Sequence, residues 1–344
     1  MSYRMTDITG TLWKALIIMG MAISGCSESK ERIEGSATHV KSVPITAQTS
    51  SNSGWLGLVE PLSNRVPRSR AYAFLGKGRI VFMPENDKRK LGICAPDGTV
   101  LATWTWGPEW YFKSLVRSRR GDHVLVCLSE ELTVTNAYGR ESCRIGIVGP
   151  GSELRWVKPL PLGKHGVGPR SIALSNDGHV IGIAGIGAAD EVQLWSNAED
   201  KLLWRVAPEG ESGINDIVFS PNSEVLYAGG TSGWVYAYEA ASGKLISKFL
   251  ASRHGATAYG YRVSKVDASP DGALLAAGTG PDGDVYVWDA KTGRRICVIA
   301  TQAGTITDLA FSPDSSMLAT CGVNSCTVGV KRHPVVDVWR IRQP

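Results

Sequence analysis

Residues Val266–Ala300 read VDASPDGALLAAGTGPDGDVYVWDAKTGRRICVIA, and this stretch decides the fold class. A short apolar run reaches a Ser-Pro-Asp-Gly turn at Ser269–Gly272, and a second apolar strand follows the turn. An alternating strand then ends at Trp288, and a Lys-Thr-Gly turn leads into a last apolar strand. Such a four-stranded unit cannot bury both of its faces alone, so repeated copies predict stacked units that share their cores.

Weaker copies of the unit run through most of the 344-residue chain. The equivalent turns begin at four serines, and each unit has an aromatic residue near the end of its third strand: Ser175 and Trp195, Ser220 and Tyr238, Ser269 and Trp288, Ser312 and Trp339. Two fainter units precede these four, at Ala71–Trp106 and Tyr111–Leu162. We therefore predict an all-β fold, a single β-propeller of four-stranded antiparallel blades, with six blades visible and seven as the alternative.

The last unit ends at Ile341, after its third strand. We expect its fourth strand to come from the N-terminal side, within Trp55–Leu62, so that the two ends of the chain close the ring and remove exposed sheet edges.

The composition fits many short strands better than long helices, since the chain has 39 Gly, 17 Pro and 20% charged residues. The net charge of +5 is small for this length, and the basic groups at Lys88–Lys90 and Arg117–Arg120 lie beside predicted turns. Solvated turn charge explains them better than a nucleic-acid patch does, so we expect no nucleic-acid partner.

The N-terminal residues predict a secretory signal. Arg4 and Lys14 precede the apolar run Ala15–Ile23, which is followed by small residues and Cys26. This run is far shorter than the roughly 20 residues needed to span a bilayer. Residues 27–54 are polar and rich in Ser and Thr, which is typical of a flexible tether. We expect a signal peptide at 1–25, a tether at 26–54 and the propeller at 55–344.

The motif Ile23-Ser24-Gly25-Cys26 resembles the lipobox of bacterial lipoproteins, in which the Cys becomes the lipid-modified first residue of the mature protein. This resemblance implies lipidation of Cys26, an extracytoplasmic domain, and the outer membrane as its location in a Gram-negative cell. The alternative is an ordinary secreted protein that has a Cys there by chance.

The residues Asp282–Asp289 resemble the WD-repeat signature, and Phe311–Asp314 and Phe219–Pro221 resemble its strand-turn motif. The resemblance implies a hydrogen-bond network in which His254, Asp282 and Trp288 fill three of four places, while Ala277 stands where the family has a hydroxyl. Asp289–Gly293 is similar to the turns of quinoprotein-type propellers.

No motif for catalysis or for metal binding appears in the chain. The six His residues form no His-x-His or HExxH arrangement, and the two carboxylates of Gly280–Asp284 are fewer than the oxygen ligands that Ca²⁺ takes. Gly182–Gly187 lacks the following helix that a dinucleotide loop needs. We expect no catalytic residue, metal, cofactor or small-molecule ligand.

Trp104, Trp106 and Trp110 form the densest aromatic cluster of the sequence. Trp104 and Trp106 share one face of a strand, so packing between blades is favoured over an aromatic ligand platform.

An exported chain would meet oxidising conditions, in which disulfides form. Cys127 and Cys143 flank one insertion and Cys321 and Cys326 flank one loop, so both pairs are candidate disulfides. Buried free thiols are the alternative.

These features together predict a non-enzymatic scaffold at the cell envelope, held in the membrane by a lipid and bound to a protein partner through its loops. The insertions Leu132–Ser142 and Gly322–Pro334 follow second strands, so we expect the partner there. The alternatives are a propeller enzyme of lactonase or cofactor-dependent dehydrogenase type, which would use the central channel, and a cell-wall or carbohydrate-binding module.

Overall fold

The structure is a computed structural model, and it describes residues 33–35, 37–44, 69–75, 79–84, 87, 89–118, 123–130, 143–156, 169–186, 191–252, 262–301, 303–312, 314–323 and 334–341. These residues form strands and turns. Among them we find no helix long and apolar enough to cross a membrane.

The strands form six antiparallel sheets, and strands that are neighbours within a sheet follow one another in sequence, except for β1 beside β22 and β2 beside β25. The first sheet contains β3 (Ser69–Leu75), β4 (Arg79–Pro84), β5 (Lys90–Cys94) and β6 (Val100–Thr105). The second contains β7 (Trp110–Arg117), β8 (Val124–Glu130), β9 (Cys143–Val148) and β10 (Leu154–Trp156). The third contains β11 (Ser171–Leu174), β12 (Val180–Ile186), β13 (Glu191–Ser196) and β14 (Lys201–Val206).

The fourth sheet contains β15 (Ile214–Phe219), β16 (Val225–Gly230), β17 (Trp234–Glu239) and β18 (Leu245–Leu250). The fifth contains β19 (Arg262–Ala268), β20 (Leu274–Gly280), β21 (Asp284–Asp289) and β22 (Arg295–Ala300), with β1 (Ile33–Gly35) added beside β22. The sixth contains β23 (Thr305–Phe311), β24 (Met317–Val323), β25 (Pro334–Ile341) and β2 (Ala37–Pro44). The prediction of an all-β fold with six antiparallel sheets of four strands is confirmed, and β1 adds a fifth strand to one of them.

The four Ser-led turns have one hydrogen-bond pattern. In each, the Ser Oγ donates to the Asp or Asn side chain two residues later, at 2.5–2.7 Å, and accepts from the backbone N–H five residues later, at 2.8–2.9 Å. The fourth turn position has a positive φ, which Gly178 and Gly272 adopt without strain; Ser223 and Ser315 occupy it in the other two turns. The local sequence therefore specifies where the first two strands of these units reverse.

The N-terminal strand of the sixth sheet differs in position from our expectation. Residues 37–44 pair with β25, from Ala37 opposite Ile341 to Pro44 opposite Val335. Trp55–Leu62, which we expected in this place, lies outside the described residues. Strands β1 and β2 both fall within the segment expected to be a tether. The β-branched Thr38 and Val43, which pair with Arg340 and Val336, have the strand propensity that favours this pairing.

The described strands divide into two compact units. Unit one holds β3–β14 and unit two holds β1, β2 and β15–β25. In each unit the apolar residues form cores between successive sheets: Leu91 and Val126 between the first two, Leu125 and Ile181 between the next two, Phe249 and Trp288 between the fourth and fifth, and Val287 and Trp339 between the fifth and sixth.

Small residues allow the sheets of unit two to approach closely. A Cβ on Gly229 of β16 would clash with Val263 of β19, and a Cβ on Gly278 of β20 would clash with Ile306 of β23. Second strands therefore carry Gly where they face the first strand of the next sheet.

Candidate interaction surface

Unit two has a loop end, which we define as the end where second strands turn into third strands and where first strands begin. It contains the β16–β17 loop Thr231–Gly233 and the β20–β21 loop Pro281–Gly283. The segment that enters β15 reaches the same end, as does the segment that enters β23. Residues 324–333, most of one predicted insertion, are attached here between β24 and β25 and lie outside the described residues.

The carboxylate of Glu211 holds the first of these loops in place. Its Oε2 accepts hydrogen bonds from Thr231 Oγ1 at 3.1 Å and from the backbone N–H of Ser232 at 3.0 Å. Its Oε1 accepts from the Tyr236 hydroxyl at 2.9 Å and from the Ser232 hydroxyl. One acidic side chain thus ties the segment before β15 to the β16–β17 loop and to β17.

Tyr236 is only 2% exposed, so its hydroxyl depends on this carboxylate. Burial, and then the hydrogen bond to Glu211, raise the pKa of Tyr236 above its ordinary value of 10. Burial and the charge of Glu211 raise the pKa of Tyr238 as well. Both phenols therefore stay protonated at neutral pH, and Tyr236 acts as a hydrogen-bond donor in a fixed network.

At the loop end, the Pro281–Gly283 loop of the fifth sheet packs against the segment that enters the sixth sheet. Thr301 Oγ1 donates to the carbonyl of Gly283 at 2.7 Å. Gly283 has a φ of +68° and a Cβ there would overlap the Ala303 carbonyl. A Cβ on Gly322, near the end of β24, would overlap the side chain of Ala303. The Pro281–Gly283 loop and the end of β24 therefore both pack closely against the segment that enters β23.

The WD-type network that we expected in the fifth unit is placed only in part. His254 lies outside the described residues, whereas Asp282 lies in the β20–β21 loop and Trp288 is 3% exposed in the core. Ala277, at the hydroxyl place, is fully buried. The role of the three residues as a network stays a prediction.

A Trp-hydroxyl pair does occur in the sixth sheet, and sequence reasoning missed it. Trp339 Nε1 donates to Thr320 Oγ1 at 3.0 Å, and both side chains are buried. Trp339 pairs with Leu318, and Thr320 lies two residues further along β24. Ala277 lies at the same offset in β20, two residues beyond the partner of Trp288. Counting that offset in the sequence would have found it.

Cys127 and Cys321 are buried, while Cys326 and the side chain of Cys143 lie outside the described residues. The register sets Cys127 opposite Ile145 and Cys143 opposite Ser129, so the first candidate pair is diagonal in the ladder. Both disulfides stay predictions.

The tryptophan cluster of unit one belongs to a core. Trp106 is 8% exposed, and the partly buried Trp104, Trp110 and Trp156 pack against the same group of residues between the first two sheets. This arrangement favours the packing interpretation over a ligand platform.

Two loops that the sequence offered for ligands have structural explanations. Gly182 lies inside β12, a strand. Asp284 accepts from Thr279 through its backbone carbonyl at 2.9 Å and from Tyr286 through its carboxylate at 3.4 Å. Within the described part of the chain, no three His, Cys, Asp or Glu side chains group as metal ligands would.

The insertion 132–142 and the lipidation candidate Cys26 both lie outside the described residues. The insertion follows β8, the second strand of its sheet, as predicted.

Comparison with known proteins supports the repeat assignment. Residues 247–289 and 293–328 match the family described as WD domain, G-beta repeat. The chain is also similar to the Periodic tryptophan protein 2 homolog of Dictyostelium discoideum, at 24% identity over 167 residues. That match covers 48% of this chain and 17% of the relative's length.

The family match identifies WD repeats within residues 247–328, and the six sheets are consistent with a β-propeller of the WD-repeat class. The relative is a eukaryotic protein, and neither comparison supports the resemblance to bacterial lipoproteins, which stays a prediction.

Proposed function

We propose that this protein is an exported, lipid-anchored scaffold that binds a protein partner through the loop end of unit two. WD repeats generally mediate protein–protein interactions, and the repeats matched here span 247–328. The observation that carries the proposal is the Glu211 network, because it fixes the Thr231–Gly233 loop in one conformation at this end of the unit. A surface fixed in advance loses little conformational entropy when a partner binds.

The anchor in this proposal is Cys26, lipid-modified after removal of residues 1–25. The motif Ile23–Cys26 at the end of the apolar run Ala15–Ile23 supports it. A lipid on Cys26 would keep the propeller at the surface of the cell envelope, at the outer membrane in a Gram-negative cell.

The partner in this proposal contacts the residues attached between β24 and β25. Gly322 of β24, near the point where that segment is attached, lies against Ala303, and so does Gly283 of the β20–β21 loop. Loops on a rigid sheet scaffold are where recognition residues usually lie. The insertion 132–142 after β8 is the second candidate contact.

The decisive experiment is crosslinking and affinity purification of the full chain from its native membrane. The proposal expects a partner that is enriched with the wild type and is lost when residues 324–333 and 132–142 are both deleted. Cys26→Ser should release the protein from the membrane fraction while the purified domain still binds the partner.

Two results would overturn parts of the proposal separately. Retention of every partner after both deletions would remove the loop assignment. Membrane association that persists in Cys26→Ser, with no lipid mass on the wild type, would remove the anchor. A stoichiometric metal or chromophore in the purified protein would instead favour a propeller enzyme.

A further inference from the structure

Exposed apolar side chains of the described residues are concentrated on the outermost strands. The large hydrophobic residues that are exposed all lie on fourth strands: Val100, Leu101, Leu203, Leu245 and Ile246. Strands β6, β14 and β18 each end their sheet in the described structure. Such an edge presents unpaired backbone N–H and C=O groups, the elements that another strand needs in order to pair.

The outer strands share one irregularity. In four sheets the fourth strand contains a β-bulge, at which one of its residues has no partner on the third strand. That residue is aliphatic in each case: Leu101, Leu203, Ile246 and Ile296. Ile246 is 56% exposed, whereas Ile296 packs against the core between the fifth and sixth sheets. Beyond each bulge, the residues of the outer strand pair one by one with residues of the third strand to the end of the ladder.

One outer strand is already covered by a segment of this chain. Strand β1 pairs antiparallel with β22 and begins directly after the bulge, with Gly35 opposite Cys297, Glu34 opposite Val298 and Ile33 opposite Ile299. The molecule therefore uses strand addition at one edge, with a carboxylate residue in the middle of the added strand.

If a segment paired with β18 in the register that β1 has on β22, a basic residue of β18 would lie opposite the position that Glu34 has in β1. Counted from the bulge, Lys248 has the place of Val298, two residues beyond Ile246. Lys248 is exposed, and its ammonium lies 5.3 Å from the centre of the Tyr236 ring on the same sheet face. In unit one, Arg205 of β14 has the equivalent place two residues beyond Leu203, and it is exposed too.

We propose that β18, and independently β14, bind an extended segment of a partner protein by antiparallel strand addition. The segment carries a carboxylate opposite Lys248 or Arg205 and an aliphatic residue opposite Ile246 or Leu203. Opposite charges across a strand pair stabilise it, and the aliphatic residue buries the exposed bulge side chain.

The charges on β18 argue for an acidic partner and against a second copy of the same edge. The charged residues of β18 and of the turn just before it are Lys248 and Lys244, and both are exposed. Two such edges in one antiparallel pair would bring lysines together, and like charges across a ladder are destabilising. A segment with carboxylates meets no such repulsion.

The test uses the purified full-length chain and a fluorescein-labelled heptapeptide, Ser-Ile-Glu-Thr-Ile-Thr-Ser, followed by fluorescence anisotropy. We expect saturable binding of two peptides per chain. K248E/R205E should weaken binding roughly five- to thirtyfold, and the same peptide with Lys in place of Glu should bind the double variant better than the wild type. Each single variant should leave one site. Thr103→Glu on β6 is the matched control, since Thr103 occupies the equivalent place on an edge without a basic residue.

The proposal would be overturned if no binding were seen at millimolar peptide. It would also be overturned if the affinity were the same for the wild type and the double variant and for the Glu and Lys peptides. A peptide-sensitive dimer in size-exclusion chromatography would overturn it as well, because the occupant would then be a second copy. Ile246→Asn should also weaken binding, and circular dichroism of each variant checks that it remains folded. Neither β18 nor β14 contains the residues removed in the loop deletions, so loss of the partner in those deletions leaves this result unchanged.

Discussion

The carboxylate of Asp267 on β19 accepts a 2.9 Å hydrogen bond from the backbone N–H of Phe311 on β23, so one sheet binds the main chain of the next. Asp216 on β15 does the same one sheet earlier, accepting from the N–H of Val266 at 3.0 Å, and it also forms a 3.5 Å ion pair with Lys265. Both carboxylates are buried. The sheets of unit two are therefore joined by polar contacts as well as by apolar cores.

Asp267→Ala removes the acceptor and leaves a buried N–H without its partner. We expect the free energy of unfolding to fall by about 1–3 kcal/mol, measured by urea denaturation. The control is Glu209→Ala, at an exposed side chain, which should change it by less than about 0.5 kcal/mol. Equal effects for the two variants would contradict the role of Asp267.

Glu211→Ala removes the acceptor for Ser232 and for the buried Tyr236 hydroxyl. We expect faster hydrogen exchange at the Ser232 amide and a loss of about 1–3 kcal/mol in stability. Tyr236→Phe deletes only one donor, so Ser232 should remain protected in that variant. Unchanged exchange in Glu211→Ala would show that the loop holds its conformation without the carboxylate.

Thr320→Val keeps the shape of the side chain and removes the acceptor of the Trp339 indole N–H. Because Trp339 is fully buried, the unpaired N–H should lower the free energy of unfolding by about 1–3 kcal/mol. Thr320→Ser retains the hydroxyl and should lose less. Thermal unfolding followed by tryptophan fluorescence measures both, and a larger loss in the Ser variant would refute the assignment.

Acid should weaken the Ser-led turn of the sixth sheet. The hydrogen bond from the Ser312 hydroxyl, with that from the backbone N–H of Ser316, lowers the pKa of Asp314 below its ordinary value of 3.8. The folded state thus binds this proton less tightly than the unfolded state does. The stabilisation is complete above pH 3.8 and is lost as the pH falls through the lowered pKa.

Ser312→Ala should raise the pKa of Asp314, which carboxyl NMR titration can follow. The fourth sheet provides an internal control, because Asn222 occupies the equivalent turn position and does not titrate. An unchanged pKa of Asp314 in Ser312→Ala would exclude the hydroxyl as the cause.

The sheets and turns were predictable from the sequence because their signals are local. The turn from Ser269 to Gly272 contains its own hydrogen-bond partners and its own positive-φ residue, so four consecutive residues specify it. The aromatic residues ending third strands, such as Trp288 and Trp339, repeat at intervals that reveal the unit.

The contacts of the candidate site were not predictable in this way, because they depend on register between segments. Glu211 lies 21 residues from Ser232, and neither residue belongs to a motif. Gly229 and Gly278 look like turn residues in the sequence, yet each is required by close approach of the next sheet. Strand β2 was missed because a polar edge strand with few apolar residues resembles a tether.

The pairing of β2 with β25 joins an early and a late strand of the described chain in one sheet. During synthesis β2 is made before every partner that it has in that sheet, and β25 is the last of the sheet's four strands to be made. The sixth sheet is therefore complete only in a chain that has been translated through Ile341. A prematurely terminated chain would leave β2 with unpaired backbone groups, so this sheet distinguishes finished molecules from truncated ones.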